Sequence, residues 1–180
     1  YVIEAMQQSL EEGSKTVVGW EVNGGFLLGC DIEKEGRSIK KLATRDALFP
    51  MLVALVAAKD SSIAELFTAL PQRFTQAGLI DDFPQDISKK ILDAFAAGDT
   101  KQIGMYFSAV LGFGAVVNVN TLDGIRIYFE NDIIAHIRPS GNAPQLRIYS
   151  VAQTQERADE IVAQAIAEPN GIFRKLQTEL

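Results

Sequence analysis

VVNVNTLDGIRIYFENDIIAHIRPSGNAPQLRIYSVA, residues 116–152, decides how the chain folds. Asp123-Gly124 stands between two runs rich in β-branched and aromatic residues, a strong local signal for a hairpin. Val117, Val119, Ile125, Ile127 and Phe129 alternate with polar neighbours, as a sheet with one buried face requires. Asn131-Asp132 marks a second turn and Ser140-Gly141-Asn142 a third. The stretch therefore predicts a four-stranded antiparallel meander.

On its C-terminal side, Thr154 opens a helix whose Ala158, Ile161, Val162, Ala165 and Ile166 share one apolar face. On its N-terminal side, Ile91, Leu92, Phe95 and Ala96 mark another helix, with Gly98 at its end. Helices backing one sheet make an α+β unit. The acidic segment LIDDFPQDIS (79–88) reads as the connection leading into it.

The first seventy or so residues read differently. Val2, Ala5, Met6 and Leu10 line one side of a helix stopped at Gly13. TVVGW (16–20) and FLLGCDI (26–32) are short strands, with SIKKLA (38–43) a candidate third. Thr44 is placed to cap a helix running to Lys59, with Pro50 implying a kink near Asp46 or a later start. SSIAELFTAL (61–70) predicts a short helix with a serine cap, closed by Pro71. So few strands make a poor independent sheet with open edges. Residues 1–71 are therefore expected to be the rear part of an α/β domain whose front part is missing, and residues 72–180 a second domain. The start at Tyr1, not methionine, accords with a processed chain or a piece of a longer one.

Composition narrows the chemistry. A net charge of −6 argues against general affinity for nucleic acid or an anionic membrane. The longest apolar run, ALFPMLVALVAA (47–58), is too short to span a bilayer, and no signal peptide is visible. Cys30 is the only cysteine, which suits a reducing, cytoplasmic setting and reads as a small buried filler. His136 is the only histidine, so no His/Cys cluster offers metal-ligand spacing. It shares a strand face with Arg138 and reads as structural. Asp81, Asp82 and Asp86 lack the calcium-loop spacing and read as a solvated linker.

Against that acidic background, RPSGNAPQLRIY (138–149) gathers positive charge. Arg138 and Arg147 lie in successive strands, and Ser140, Gly141 and Asn142 form the corner between them. Two guanidiniums, a hydroxyl, an amide and backbone N–H groups made accessible by glycine suit a phosphate dianion. The alternative is an ordinary turn with solvated arginines paired to carboxylates such as Glu130. In GWEVNGGFLLG (19–29), Glu21 and Asn23 sit in a glycine-rich loop beside Trp20. A carboxylate and an amide can hold vicinal hydroxyls. Here the alternative is a polar turn with a core tryptophan.

GWEVNGGFLLG, LATRDAL (42–48) and RPSGNAPQLRIY, taken in this order, resemble the phosphohexomutase family over nearly the whole chain. The Asn-Gly-Gly variant is most similar to bacterial phosphomannomutases. The resemblance implies an isomerase, an intramolecular phosphotransferase of four domains that interconverts hexose 6-phosphate and hexose 1-phosphate. This chain would hold the end of domain 3, an α/β/α sandwich, and all of domain 4, which resembles the TATA-box-binding-protein fold. By the same resemblance Glu21, Asn23, Gly24 and Gly25 hold sugar hydroxyls, while Arg138, Ser140, Gly141, Asn142 and Arg147 hold the non-reacting phosphate. Many members carry Thr-Glu where this chain has Asn142-Ala143, and Ser where Asn23 stands.

Neither the Ser-His-Asn-Pro type loop of the phosphoserine nor the Asp-Gly-Asp-x-Asp-Arg loop for magnesium occurs in the sequence. The resemblance thus implies Mg2+ and the N-terminal domains of the same enzyme as partners, a hexose phosphate as substrate, and no turnover by this piece alone. From another class, a non-catalytic anion-binding or interaction module is the competing expectation.

Overall fold

A computed structural model describes residues 1–21, 24–97 and 99–180. The chain divides into two compact units, Tyr1–Leu70 and Pro71–Leu180.

In the first unit, helix α1 (Val2–Glu11) precedes strands β1 (Val18–Trp20), β2 (Phe26–Leu28), β3 (Ile32–Lys34), β4 (Arg37–Ile39) and β5 (Leu42–Asp46), then helices α2 (Leu48–Ala57) and α3 (Ile63–Thr68). Strands β1, β2 and β5 form one antiparallel sheet, and β3 with β4 a separate hairpin. That hairpin turns on Glu35 and Gly36, both with positive φ, the backbone pattern that lets a two-residue turn follow the strand twist. SIKKLA, expected as one strand, is instead split between the end of β4 and the start of β5.

Thr44 does not cap a helix; it lies within β5. Asp46 does the capping, its Oδ1 accepting from the backbone N–H of Leu48 and Phe49 at 2.9 and 3.1 Å. Pro50 consequently falls in the first turn of α2, where its missing N–H leaves no intrahelical bond unmade. Helix α3 starts on a reciprocal capping box between Ser62 and Glu65. The core of this unit is small: Met6, Val17 and Leu27, with Val2 against them. Helix α2, apolar on every side, buries none of its residues. An all-apolar helix is ordinarily an interior one.

The second unit contains β6 (Phe74–Ile80), α4 (Gln85–Ala96), α5 (Thr100–Tyr106), a short 3-10 turn, β7 (Val116–Asn120), β8 (Ile125–Phe129), β9 (Ile134–Pro139), β10 (Leu146–Ala152), α6 (Gln155–Ile166) and α7 (Ile172–Glu179). Its sheet is antiparallel with order β6-β10-β9-β8-β7, so it has five strands where four were expected. The expected meander is present as β7 to β10; the additional strand, β6, pairs with β10 from Ile80↔Leu146 to Phe74↔Ala152. Segment 79–88 therefore lies inside this unit, running from the end of its first strand through a four-residue turn into its first helix.

Gly78 weakens the strand pattern of β6, yet it suits the fold. A Cβ there would collide with Val162 and come within 3.2 Å of Ile166, because α6 lies directly on that strand. Thr154 caps α6 as expected, accepting from Arg157 N–H at 3.1 Å, and Ala158, Ile161, Val162 and Ala165 are buried. Gly98 lies outside the described residues.

Strand alternation sorts the sheet into two faces. Ile125, Ile127, Phe129, Ala135, Ile137, Leu146 and Ile148 are buried with α4, α6 and α7, in a core that also holds Phe95, Phe107 and Phe113. Phe107 is at its centre, with ring centroids 5.1 Å from Phe113 and 6.0 Å from Phe129. Arg126, Tyr128, His136, Arg138, Arg147 and Tyr149 occupy the alternate positions.

One expected inward residue is reversed. A bulge between Val116 and Asn118 inserts Val117 as an extra residue, so Val116 and Val119 face the core and Val117 is 62% exposed. No helix among the described residues is long and apolar enough to cross a membrane.

These placements give opposite expectations for two apolar residues. Phe107→Ala should cost about 3–5 kcal/mol of unfolding free energy, whereas Val117→Ser should stay within about 0.5 kcal/mol. Urea denaturation of the two variants checks this, and a Val117→Ser loss rivalling that of Phe107→Ala would reject the bulge.

Candidate functional site

Two arginines of the second unit are brought together by register. Arg138 and Arg147 are direct partners across β9 and β10, so their side chains share one sheet face. Directly opposed like charges are unfavourable in a sheet. The fold gives each a separate polar neighbour. Arg138 Nε lies 3.2 Å from Asp123 Oδ1, and Arg147 Nη2 donates to Ser140 Oγ at 3.4 Å. Arg147 Nε is buried with no hydrogen-bond partner among the described residues. The alternative reading pairs these arginines with carboxylates such as Glu130; Arg138 does meet a carboxylate, but it is that of Asp123.

The loop between the two strands is fixed from within and from the side. Ser140 N–H donates to Gln145 O at 2.9 Å and Gln145 N–H to Ala143 O at 2.8 Å. Phe83 N–H donates to Pro144 O at 2.8 Å, and Gln145 Nε2 donates to Asp81 Oδ1 at 2.7 Å. Part of the acidic run is thus a brace for this loop, which corrects its reading as a solvated linker. Neither Gly141 nor Asn142 has a positive φ, so the corner needs no left-handed residue. A Cβ on Gly141 would meet nothing within 4 Å. Glycine at 141 is required by neither the backbone nor the packing of this unit. Ser140 is buried, Gly141 and Asn142 are at the surface.

In the first unit the glycine-rich loop leaves β1 and returns into β2. Glu21 N–H donates to Gly25 O at 2.8 Å and Gly24 N–H to Glu21 O at 2.9 Å, with Gly24 at φ +86°. Asn23 lies outside the described residues.

The Glu21 carboxylate is clasped by Arg45 of β5, with Nη2 donating to Oε1 at 2.8 Å and Nε to Oε2. This fork raises the Arg45 pKa, first through the hydrogen bond and then through the carboxylate's charge. Gly25 leaves room for this pair, since a Cβ would sit 2.8 Å from Glu21 Oε2 and 3.1 Å from Arg45 Cδ and oblige those side chains to shift. Arg45 had no site role in the sequence reading, although it lies in LATRDAL. Trp20 is 69% exposed in this unit, not a core residue.

Two other candidates are settled by contacts. Cys30 Sγ accepts from Val17 N–H at 3.4 Å and is half-buried, consistent with a packing role. His136 does share the face of Arg138. Its Nε2 lies 2.6 Å from the Asp123 carbonyl, and its ring 5.6 Å from that of Tyr149. No three His, Cys, Asp or Glu side chains gather to hold a metal among the described residues.

Comparison with known proteins adds sequence relationships to this geometry. The C-terminal domain model of phosphoglucomutase/phosphomannomutase matches residues 84–168. A phosphomannomutase of Salmonella muenchen is 40% identical over 164 residues, covering 90% of this chain and 33% of that protein. One from Sinorhizobium fredii is 36% identical over 169 residues, covering 93% and 35%. A phosphoglucosamine/phosphogalactosamine mutase of Sulfurisphaera tokodaii is 27% identical over 150 residues, covering 81% and 27%. The chain spans about a third of the length of the two phosphomannomutases.

The glycines separate structural need from available space. Gly141→Ala should leave the melting temperature unchanged. Gly124→Ala should cost about 1–3 kcal/mol, because Gly124 has φ +76° and a Cβ there would strike the Ile137 carbonyl. Thermal unfolding of both variants is the check, and equal losses would contradict the open corner.

Proposed function

The chain belongs to the phosphohexomutase family, and on that premise we propose that it is the substrate-holding C-terminal part of a phosphomannomutase/phosphoglucomutase-type enzyme. In this reading Pro71–Leu180 is domain 4, which grips the non-reacting phosphate of a hexose phosphate. Tyr1–Leu70 is the rear of domain 3, part of its α/β/α sandwich, whose loop at Glu21 to Gly25 receives sugar hydroxyls.

The observation carrying the phosphate assignment is the direct opposition of Arg138 and Arg147 in a chain of net charge −6. Two guanidiniums side by side repel each other, and a dianion accepting from both turns that repulsion into charge-assisted hydrogen bonding. Ser140 and the open space at Gly141 suit the same ligand, with Asn142 beside them. For the sugar, the Glu21 carboxylate held by Arg45 is a fixed acceptor for hydroxyl protons.

The reaction proposed for the whole enzyme is interconversion of hexose 6-phosphate and hexose 1-phosphate. Phosphoryl transfer needs a positioned donor and neutralisation of charge at the moving group. Magnesium and a phosphoserine would supply these. The described residues offer no set of side chains that fits the metal, and the sequence has no phosphoserine loop of the family type. This chain accordingly binds and orients, and the remaining domains of the same enzyme are its partners. The bare apolar surface of α2 is consistent with such a partner. A reducing cytoplasmic setting belongs to the same proposal.

The test is calorimetry of the 180-residue chain with mannose 1-phosphate. Arg138→Ala and Arg147→Ala should each weaken binding roughly 10-fold or more, as expected for lost hydrogen bonds to a charged group. Glu21→Ala should weaken it less, because a hydroxyl loop contributes fully only once domains close on substrate. Unaltered binding in both arginine variants removes the phosphate assignment, and mutase turnover by the pure chain removes the division of labour.

A further inference from the structure

Asp123 is a carboxylate placed beside a site that we read as binding an anion. Such a placement is unfavourable for affinity on charge grounds alone. Three contacts nevertheless hold it there. Gly124 lies so close to β9 that a Cβ on it would clash with the Ile137 carbonyl and come within 3.3 Å of Arg138 Cα. The Asp123 carbonyl accepts from His136 Nε2 at 2.6 Å, which places the proton on that ring nitrogen, since a carbonyl can only accept. The Asp123 carboxylate meets Arg138 Nε at 3.2 Å. His136 and Arg138 are two residues apart on one strand and one face, so a single residue of the β7–β8 hairpin is held at its backbone and its side chain by the same strand.

Resting on the phosphate reading above, we propose that Asp123 is a positioning residue that aims Arg138 at the bound phosphate, with His136 as the anchor of Asp123. The chemistry lies in which nitrogen is taken. A guanidinium is a rigid planar fork, and an ion pair centred on Nε restrains its direction while leaving the two terminal nitrogens for the ligand. Among the described residues no protein acceptor is hydrogen-bonded to those terminal nitrogens. The ion pair is about half exposed, at 49% for Arg138 and 46% for Asp123, so its contribution to stability is small and its use is geometric.

The order of hairpins supports this. In an antiparallel meander the β7–β8 and β9–β10 loops emerge at the same end of the sheet, so the loop carrying Asp123 and the loop carrying Ser140 to Asn142 are neighbours by topology.

Sign separates positioning from charge. If Asp123 only offsets the charge of Arg138, removing its carboxylate strengthens anion binding. If it aims Arg138, removal weakens it. Binding of mannose 1-phosphate and of inorganic phosphate to the chain should therefore fall several-fold in Asp123→Ala. Asp123→Asn, which keeps an acceptor for Nε, should lie between Asp123→Ala and the unsubstituted chain. His136→Phe, which keeps a ring against Tyr149 but loses the donor, should show a smaller loss of about two-fold.

The Arg138 Nε–H resonance, assigned by its absence in Arg138→Ala, should sharpen on adding phosphate in the unsubstituted chain and stay broadened in Asp123→Ala. Binding as tight or tighter in Asp123→Ala overturns the positioning role, and unaltered binding in His136→Phe overturns the anchor. Should Arg138→Ala and Arg147→Ala bind normally as well, the phosphate reading itself falls. If those two lose binding while Asp123→Ala does not, only the present inference fails.

Discussion

The register of β9 against β10 governs the second unit. Pairing Ile137 with Ile148 and Pro139 with Leu146 sends apolar side chains into the helix-covered core, and the same register brings Arg138 and Arg147 together on the other face. Because side chains alternate, a slip of β10 by one residue would bury the Arg147 guanidinium and expose Leu146 and Ile148. Core formation and charge concentration are thus one constraint seen from two sides. The hydrophobic effect fixes the register, and the register imposes a local repulsion that core packing outweighs. A site built in this way is rigid where its strands are rigid.

The two units differ in how much of their own apolar surface they cover. In Pro71–Leu180 the sheet, α4, α6 and α7 enclose a continuous core with interlocking phenylalanine rings. In Tyr1–Leu70 the buried cluster is four residues including the half-buried Val2, while Leu48, Met51, Leu55 and Val56 of α2 are all more than half exposed. Stability should follow that difference, since apolar burial is the main favourable contribution to folding. The well-packed unit has the means to hold its arginines in place. The thinly packed one fixes its carboxylate locally, through Arg45 and the backbone turn at Gly25.

What could be read from the sequence was what short-range chemistry dictates. Asp123-Gly124 and Asn131-Asp132 announced their turns, Thr154 its helix, and His136 the strand face it shares with Arg138, because each signal lies within a few residues of its consequence. The failures have the opposite character. Strand β6 has a glycine at 78 whose reason is a helix more than eighty residues away in sequence. The inversion at Val117 depends on a bulge, which alternation alone cannot register. Asp46, not Thr44, caps α2 because Thr44 is taken by a strand pairing with β2. Arg45 and Asp123 escaped as site residues for a similar reason: each acts on a partner brought near only by folding. LATRDAL carried Arg45 within a recognisable motif, and that was the one signal that could have found it.

The bulge in β7 also bears on how this molecule behaves beside copies of itself. Strand β7 is an outer strand of the sheet, and its unpaired backbone groups would otherwise form a straight row open to strand addition. Inserting Val117 bends that row and puts its hydrogen-bonding groups out of step, while Asn118 and Asn120 keep it polar. A protein that stacks five strands in one layer thereby blunts one margin against growth into a cross-β fibril, and does so with an insertion that costs the interior nothing.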